Sequence, residues 1–231
     1  MIVDPRILPV AGLGALLSLD RRVAFQTLVS HPVVAALAVG LLLGEPAVGL
    51  AVGVLLGLLW SRAIPVGGVV PPDETFAAVL ATGVAVLGAK AAGASLAAAA
   101  GAGALVGVPA AQVGRRVELG LRALNGEMAA KVEKAVATGD LGVVERTTFK
   151  ALLAAALAFF LLHLVALAIV TPAVTTLFAR VPAVGPVLAA AVLPFPLAGL
   201  GGVISGAGFR LGLAWATLGF VVGLVLAEVL S

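Results

Sequence analysis

The sequence contains no cysteine and only two histidines among its 231 residues. The absence of cysteine excludes disulfides, thiol redox chemistry and any metal site that uses cysteine ligands. The two histidines, His31 and His163, lie far apart in the sequence and show no metal-ligand spacing. No signature typical of a hydrolase, a kinase or a dinucleotide-binding protein is present. We therefore predict neither a metal site nor a cofactor, and we assign no catalytic residue.

Charge is also scarce, because only 11% of the residues are charged whereas 62% are hydrophobic. A soluble domain of this size could not bury so much apolar surface, since globular chains are about half apolar and about a quarter charged. Lipid must therefore be the solvent for most of the chain. A membrane span needs roughly 20 apolar residues, so the length allows about six or seven transmembrane segments. We predict an all-α, polytopic integral membrane protein in which residues 1–231 form one domain.

The basic residues that are present are concentrated in one segment. Residues 112–150 hold 7 of the 14 Lys and Arg residues, and the formal net charge of the chain is only +3. Membrane topology explains this distribution, because segments rich in Lys and Arg stay in the cytoplasm, and we predict no nucleic-acid partner. The segment has apolar residues at helical spacing, namely Val117, Leu121, Leu124 and Met128. It is therefore predicted to be a cytoplasmic amphipathic connector that a soluble protein could dock on.

Glycine, proline and a few acidic residues interrupt the apolar runs. Residues 33–60 are apolar, but Gly44, Glu45 and Pro46 split them into two shorter pieces. A carboxylate and a helix-breaking proline argue against one straight helix, so a pair of half-helices or a hairpin dipping into the membrane fits better. Residues 61–74 contain three prolines, which forbid a regular helix there.

Further helices are predicted from the remaining apolar segments, which are residues 7–18, 75–89, 91–111, 151–170, 184–207 and 211–230. The first is too short to span a membrane alone. Lys90 separates the two small-residue helices, and Pro194 and Pro196 interrupt a later segment. A broken apolar segment in each half of the chain is typical of a transporter built around discontinuous helices. Residues 1–111 would carry the substrate-facing broken segments, and 151–231 would complete the bundle.

Polar side chains at membrane depth are the candidates for a binding site, because ionisable groups there are rare and face a cavity or a partner. They are Gln26, His31, Glu45, Ser61, Asp73, Glu74 and Thr75. Asp73 and Glu74 follow a Pro-rich stretch, where a carboxylate could accept hydrogen bonds from two sugar hydroxyls. We predict that Asp73 accepts sugar hydroxyls and that Gln26, His31 and Glu74 assist.

Several candidates also have a purely structural interpretation. Asp73 could cap a helix that starts near Glu74, since Asp is favoured at N-caps, and this role does not exclude sugar binding. Glu45 is better explained as an interfacial turn residue, and His31 by a structural hydrogen bond near a membrane face. His163 lies in the middle of an apolar span, where a polar contact with a neighbouring helix is favoured over a role in proton relay.

An ordered set of motifs resembles a known family over nearly the whole chain. Leu19–Asp20, Gln26 and His31–Pro32 precede GLLLGEPAVGLAVGVLLGLLW and IPVGGVVPPDETFA. The set resembles the membrane IIC component of the mannose/fructose/sorbose phosphotransferase systems. In that family an LD element leads to a basic residue–Pro pair, a G-x-x-L-G-[DE] turn and a Pro/Val/Gly stretch. The matching residues are Gly40, Leu43, Gly44, Glu45 and Gly49 in the turn, and Val66, Gly67, Pro71, Pro72 and Asp73 in the later stretch.

The resemblance implies a multi-pass sugar permease subunit of a bacterial inner membrane, which is not itself an enzyme. It implies a IID membrane subunit as oligomeric partner, and soluble IIA and IIB proteins that pass a phosphoryl group to the incoming hexose or amino sugar. The phosphorylated histidines are expected on IIA and IIB, so His31 and His163 should not be phosphorylated. The family is thought to move its sugar-carrying core against a scaffold in the manner of an elevator.

The chain departs from the family pattern at two positions. Gly57 stands where many relatives have Glu, and Pro65 stands where some relatives have Asn. Losing a carboxylate and an amide would remove several hydrogen bonds to a sugar, each worth about 1 kcal/mol. These departures leave open an alternative function, a scaffold or regulatory membrane subunit that has lost sugar affinity. A third hypothesis is an unrelated channel or transporter for small solutes.

Overall fold

A computed structural model describes residues 4–22, 26–61, 69–181, 183–190 and 192 of the chain. Within this part every regular element is a helix and no strand occurs, which confirms the predicted all-α class. Two of the described helices are long and apolar enough to cross a membrane. The predicted segment 211–230, the interruptions at Pro194 and Pro196 and the departure at Pro65 lie outside the described residues.

The first helix, α1, spans Ile7–Arg22 and packs along α6 (Gly142–Arg180). It begins after Pro5 and extends past the predicted apolar stretch to include two arginines in its last turn. Basic side chains are favourable there because the helix dipole places partial negative charge at the C-terminus. Ser18 and Asp20 of α1 are buried despite being polar, so this end of α1 faces the interior of the protein.

Helices α2 (Pro32–Leu42) and α3 (Pro46–Leu59) form an antiparallel hairpin, as the sequence predicts. Gly44 allows the turn because its φ is +76°, a region that side chains disfavour. The hairpin is closely packed, since a Cβ on Gly49 would lie 2.5 Å from the carbonyl oxygen of Ala36. The halves have 11 and 14 residues, lengths of about 16 and 21 Å. Neither half is long enough to cross a bilayer core of about 30 Å.

Helix α4 (Glu74–Val84) lies at the centre of the bundle and contacts α1, α2, α3, α5 and α6. Every residue of α4 after Glu74 is buried. The helix continues as a π-helical turn over Ala85–Lys90, and a turn through Gly93 (φ +87°) ends it. The predicted break near Lys90 is therefore present. The next helix begins later than predicted, at Leu96, where the Ser95 hydroxyl accepts a hydrogen bond from the Ala98 N–H.

Helix α5 runs without a break over Leu96–Ala137 and includes Pro109. It joins two segments that the sequence predicts as separate units, the small-residue helix over residues 91–111 and the polar connector over residues 112–150. A proline removes one helical hydrogen bond, but the packing of α5 against α4 keeps the helix continuous. The amphipathic spacing is present in part, because Val117, Leu121 and Met128 are half-buried while Leu124 is 52% exposed. The polar segment is thus a continuation of α5 and the first turns of α6.

The remaining described helix, α7 (Val184–Ala190), packs against the apolar half of α5. The two meet where Gly101 lies under the carbonyl of Leu188, so closely that no side chain fits at residue 101. The predicted span over 151–170 lies within α6. The bundle brings the end of α1 and the middle of α5 to the residue that precedes α4, and it places the first half of α6 against the end of α1.

Candidate functional site

Asp73 lies at the start of α4 and is completely buried. Its Oδ1 accepts a hydrogen bond of 3.0 Å from the N–H of Phe76, so the side chain caps α4. Its own N–H donates to the carbonyl of Ala111 on α5 at 2.9 Å. The capping role proposed for Asp73 from the sequence is therefore present, and the backbone of residue 73 is fixed to a second helix.

The second oxygen of Asp73 accepts a hydrogen bond from the guanidinium of Arg22 at the end of α1. The same Nη2 of Arg22 lies 3.0 Å from Oε2 of Glu118 on α5. The Arg22 side chain is only 10% exposed. Its guanidinium carbon lies 4.1 Å from the centre of the Phe159 ring, which is close enough for a cation–π contact. One arginine thus contacts two carboxylates and connects four helices.

Glu118 extends this cluster towards the surface. Its Oε1 accepts two hydrogen bonds from Arg122, at 2.7 Å from Nη2 and 3.1 Å from Nε. The Arg122 side chain is 60% exposed, whereas that of Glu118 is 5% exposed. We call Arg22, Asp73, Glu118 and Arg122 the ion cluster. It holds two positive and two negative charges, and this balance lowers the cost of burying three of them.

The ion cluster keeps unused hydrogen-bonding capacity. Nε of Arg22 is buried and has no hydrogen-bond partner among the described residues. Oε2 of Glu118 lies close enough to Arg22 for an ion pair, but it is not aligned for a hydrogen bond. Buried polar atoms are usually satisfied, so these two atoms offer a donor and an acceptor to a polar ligand or to water.

A glycine on α5 allows the close approach between α5 and Asp73. A Cβ on Gly114 would lie 2.8 Å from Oδ2 of Asp73 and 2.6 Å from its Cβ. A side chain at residue 114 would therefore push against the carboxylate. Nη2 of Arg21 also donates to the carbonyl of Pro72 at 2.9 Å, which holds the non-helical residues before Asp73 against α1.

A short loop that precedes α2 is anchored beside the cluster by Asp20. Oδ1 of Asp20 accepts hydrogen bonds from the N–H and the hydroxyl of Thr27, and Oδ2 accepts one from the N–H of Ser30. The carbonyl of Ser30 accepts a hydrogen bond of 2.8 Å from the hydroxyl of Thr75 on α4. Gln26 and Leu28 have φ of +50° and +66°, so the loop holds two residues in a disfavoured conformation.

The four residues predicted to bind a sugar lie in two neighbouring places. Asp73 is buried in the ion cluster, and Glu74 is half-buried next to it. Gln26 and His31 are exposed on the loop that Asp20 anchors. His31 caps α2, since its Nδ1 accepts a hydrogen bond of 3.4 Å from the N–H of Val33. The bond from Thr75 to Ser30 is the described link between the two places.

The other candidate residues have structural roles. Glu45 lies in the turn between α2 and α3, where the sequence predicts a turn residue. The hydroxyl of Ser61 donates to the carbonyl of Leu58 after α3. Thr75 binds the loop through Ser30.

His163 is fully buried on α6, and among the described residues it does not make the expected polar contact with another helix. Its Nδ1 lies 2.7 Å from the carbonyl oxygen of Phe159 on the same helix, and Nε2 has no hydrogen-bond partner among the described residues. Its contacts with other helices are apolar: the edge of its ring meets Phe76, and Gly14 of α1 lies against its face. Packing therefore determines the position of this ring.

Three residues of this region are absent from the sequence-based site, namely Asp20, Arg22 and Glu118. The spacing of four residues between Glu118 and Arg122 is a local signal of an ion pair on a helix. No such signal joins Arg22 to Asp73, because they are 51 residues apart. Asp20 belongs to the LD element, but its role as the anchor of the loop depends on the fold.

Comparison with known proteins gives a family match and two fold matches. The family described as the sorbose-specific IIC component of the PTS system matches residues 7–229. A solved chain described as a membrane protein has 22% identity and a TM-score of 0.68, covering 100% of this chain and 93% of that one. A chain from the cryo-EM structure of the mannose transporter ManYZ with microcin E492 has 24% identity and a TM-score of 0.58, covering 96% and 92%. No curated protein sequence matches the chain.

Proposed function

Because this chain belongs to the family of sorbose-specific IIC components of the phosphotransferase system, we propose that it binds a hexose or amino sugar within the membrane. It then delivers the sugar for phosphorylation by a IIB protein. Family membership supports the general assignment as a membrane subunit of a sugar permease.

The observation that carries this proposal is the position of Asp73. Its carboxylate lies at the start of a short helix, after residues 69–72, which are not helical, and α1 and α5 both contact Asp73. Discontinuous helices of this kind place polar backbone and side chains at membrane depth. A carboxylate there can accept hydrogen bonds from two sugar hydroxyls. Glu74 would add a second carboxylate, and Gln26 and His31 would contribute from the neighbouring loop.

The hairpin of α2 and α3 suits an elevator-like movement. Each half is shorter than a span and packs closely on the other through glycines. Because the two halves pack closely on each other, the hairpin can move as one unit together with α4, which it contacts. We propose that this unit carries the sugar and moves against a scaffold formed by other parts of the permease.

The proposed partners follow from the family. A IID membrane subunit would complete the permease in a bacterial inner membrane, and soluble IIA and IIB proteins would carry the phosphoryl group. The chain itself would perform no phosphoryl transfer. The polar part of α5 and the first turns of α6, within residues 112–150, would face the cytoplasm and dock a soluble partner.

Two observations favour the alternative of a scaffold or regulator without sugar affinity. Both oxygens of Asp73 already have partners, Phe76 and Arg22. In addition, a Cβ on Gly57 would lie 3.6 Å from Cε1 of His31. A Glu at residue 57 would therefore lie beside the loop, and this chain has no carboxylate there.

Calorimetric titration of the chain, copurified with its IID subunit, decides between the two functions. Mannose, fructose, sorbose, glucosamine and N-acetylgalactosamine are the test sugars. Saturable binding that is lost in Asp73→Asn would support the permease. Asn is a good N-cap, so this variant removes the charge while keeping the cap. Ser95→Ala, which removes the cap of α5, is the matched control and should keep binding. A folded complex that binds none of the sugars would favour the scaffold.

A further inference from the structure

The guanidinium of Arg22 is bound to the Asp73 carboxylate, which the proposed sugar site requires. Oδ2 of Asp73 is bound to the Arg22 guanidinium, Oδ1 is bound to the N–H of Phe76, and no part of Asp73 is exposed. We propose that Arg22 is a gating residue, which must leave Asp73 before a sugar hydroxyl can bind there, and that Glu118 holds the guanidinium meanwhile. This inference rests on the proposed function, because it describes how the same site opens.

The competition follows from the number of hydrogen bonds that Asp73 can accept. A carboxylate has about four lone-pair positions, but burial leaves a ligand no approach to those of Asp73 while Arg22 is in place. The capping bond to Phe76 holds the start of α4. The bond to Arg22 is therefore the one that can be exchanged without unwinding the helix.

A buried arginine cannot leave its carboxylate without a second negative charge. Breaking a buried ion pair by removing one partner costs about 3–5 kcal/mol, since the remaining charge is uncompensated. Glu118 supplies the second charge, because its Oε2 already lies 3.0 Å from Nη2 of Arg22. That oxygen has no hydrogen bond among the described residues. It can therefore accept the guanidinium fully once Asp73 binds a sugar.

The surroundings of Arg22 allow a small rotation rather than a large movement. Nη1 donates to the carbonyl of Ser18 at 2.9 Å, and the guanidinium lies over the ring of Phe159. Both contacts limit how far the guanidinium can move when it leaves Asp73. Glu118 is itself held by two hydrogen bonds from Arg122. The acceptor that receives Arg22 is therefore fixed in advance.

The gate predicts opposite effects for two substitutions. Arg22→Gln removes the competitor, so the affinity of the site for a sugar should rise. Glu118→Gln removes the charge that receives Arg22, so Arg22 stays on Asp73 and the affinity should fall. If the two residues only support the fold, both substitutions should lower the affinity. The sign of the Arg22→Gln effect therefore separates the gate from a structural role.

The experiment is calorimetry on the full chain with its IID subunit, using the same five sugars. We expect the Kd of Arg22→Gln to fall and that of Glu118→Gln to rise, each by about tenfold, which is about 1.4 kcal/mol. Arg116→Gln is the matched control. This arginine is exposed on α5 one turn or less from Glu118 and makes no ion pair with a described residue. Its Kd should equal that of the wild type.

A second variant protects the test against misfolding. Arg22→Gln leaves Asp73 as an unpaired buried charge, and the protein could fail to fold. Arg22→Lys keeps a positive charge beside Asp73, so no buried charge is left unpaired, but an ammonium lacks the planar fork with which the guanidinium binds a carboxylate. We expect Arg22→Lys to fold and to bind sugar at least as tightly as the wild type. Binding weaker than that of the wild type in this variant would overturn the gate.

The possible failures are distinguishable. If the wild type binds a sugar and loses it in Asp73→Asn, while Arg22→Gln binds equally or more weakly, the site stands and the gate is wrong. If neither the wild type nor any folded variant binds a sugar, the proposed function fails and the gate fails with it. If only Arg22→Gln and Arg22→Lys bind, the gate is supported, and in the wild type it is closed towards these sugars.

Discussion

Single glycines determine how closely the helices of this protein approach one another. At Gly114 and Gly14, an added Cβ would collide with a polar side-chain group of the core. At Gly114 that group is the Asp73 carboxylate, and at Gly14 it is the His163 ring. The remaining space at each position is smaller than a methyl group, so alanine is a direct probe of both contacts.

Gly114→Ala should destabilise the protein by about 1–3 kcal/mol, because the added Cβ pushes Asp73 away from α5 and strains the ion cluster. Gly120→Ala is the control on the same helix, since nothing lies within 4 Å of a Cβ there. Alanine replaces glycine favourably in an open helical position, by about 0.5–1 kcal/mol. Thermal unfolding in detergent would measure both. Equal effects of the two substitutions would contradict the predicted contact.

Gly14→Ala should also destabilise the protein, because its Cβ would lie 2.6 Å from Cδ2 of His163. The expected cost is about 1–3 kcal/mol. Gly12→Ala, on the open face of α1, should cost nothing. The double variant Gly14→Ala/His163→Ala should be less destabilised than the sum of its single variants, since the clash disappears with the ring. Additive melting shifts in this cycle would show that the ring does not fill the space beside Gly14.

At the scale of elements, the α2–α3 hairpin depends on contact between its backbones. Gly40 and Gly49 face each other, and a Cβ on Gly49 would meet the backbone of Ala36. Small residues allow such an approach in membrane proteins, where van der Waals packing rather than the hydrophobic effect holds helices together. The turn at Gly44 and Pro46 reverses the chain, and the glycines then determine how tightly the halves close.

Gly49→Ala should open the hairpin, since the backbone at Ala36 cannot move aside as a flexible side chain can. We expect a loss of about 1–3 kcal/mol in stability. Gly57→Ala is the control in the same helix, because the nearest atom to its Cβ is a methyl group of Val33 at 3.1 Å. Unfolding midpoints in detergent would compare the two. A cost for Gly57→Ala as large as that for Gly49→Ala would argue against close backbone packing.

At the scale of the whole molecule, α5 is much longer than a membrane span needs to be. Its 42 residues have a length of about 63 Å, roughly twice the thickness of the hydrocarbon core. The ion cluster lies near the point where α5 changes from small apolar residues to charged ones. We therefore expect the buried charges to lie towards one face of the membrane, which is the cytoplasmic face if the basic residues stay inside.

Cysteine labelling tests this orientation cleanly, because the natural chain contains no cysteine. Ala130→Cys, in the exposed polar part of α5, should react with a membrane-impermeant maleimide in inside-out vesicles but not in intact cells. Leu161→Cys lies on the exposed apolar face of α6 and should react in neither, since lipid excludes the reagent. Labelling of Ala130→Cys from the outside of intact cells would reverse the predicted topology.

The sequence alone predicted the helical membrane class and several helix boundaries. Composition requires lipid as the solvent, and the Gly-Glu-Pro run at residues 44–46 breaks the chain in any context. The cap at Asp73 was also predictable, since N-capping depends on residues a few positions apart. The family resemblance rested on motifs of the same local kind, and the family match over residues 7–229 confirms it.

Tertiary structure alone decided which polar groups meet. Arg22 and Asp73 are 51 residues apart, and Glu118 lies further still along the chain. Their contact depends on the packing angles and depths of α1, α4 and α5, which local sequence does not specify. His163 gained apolar neighbours rather than a polar one for the same reason. A charge at a helix end is equally compatible with water, lipid headgroups or a buried partner, and only the neighbouring helices determine which of these it contacts.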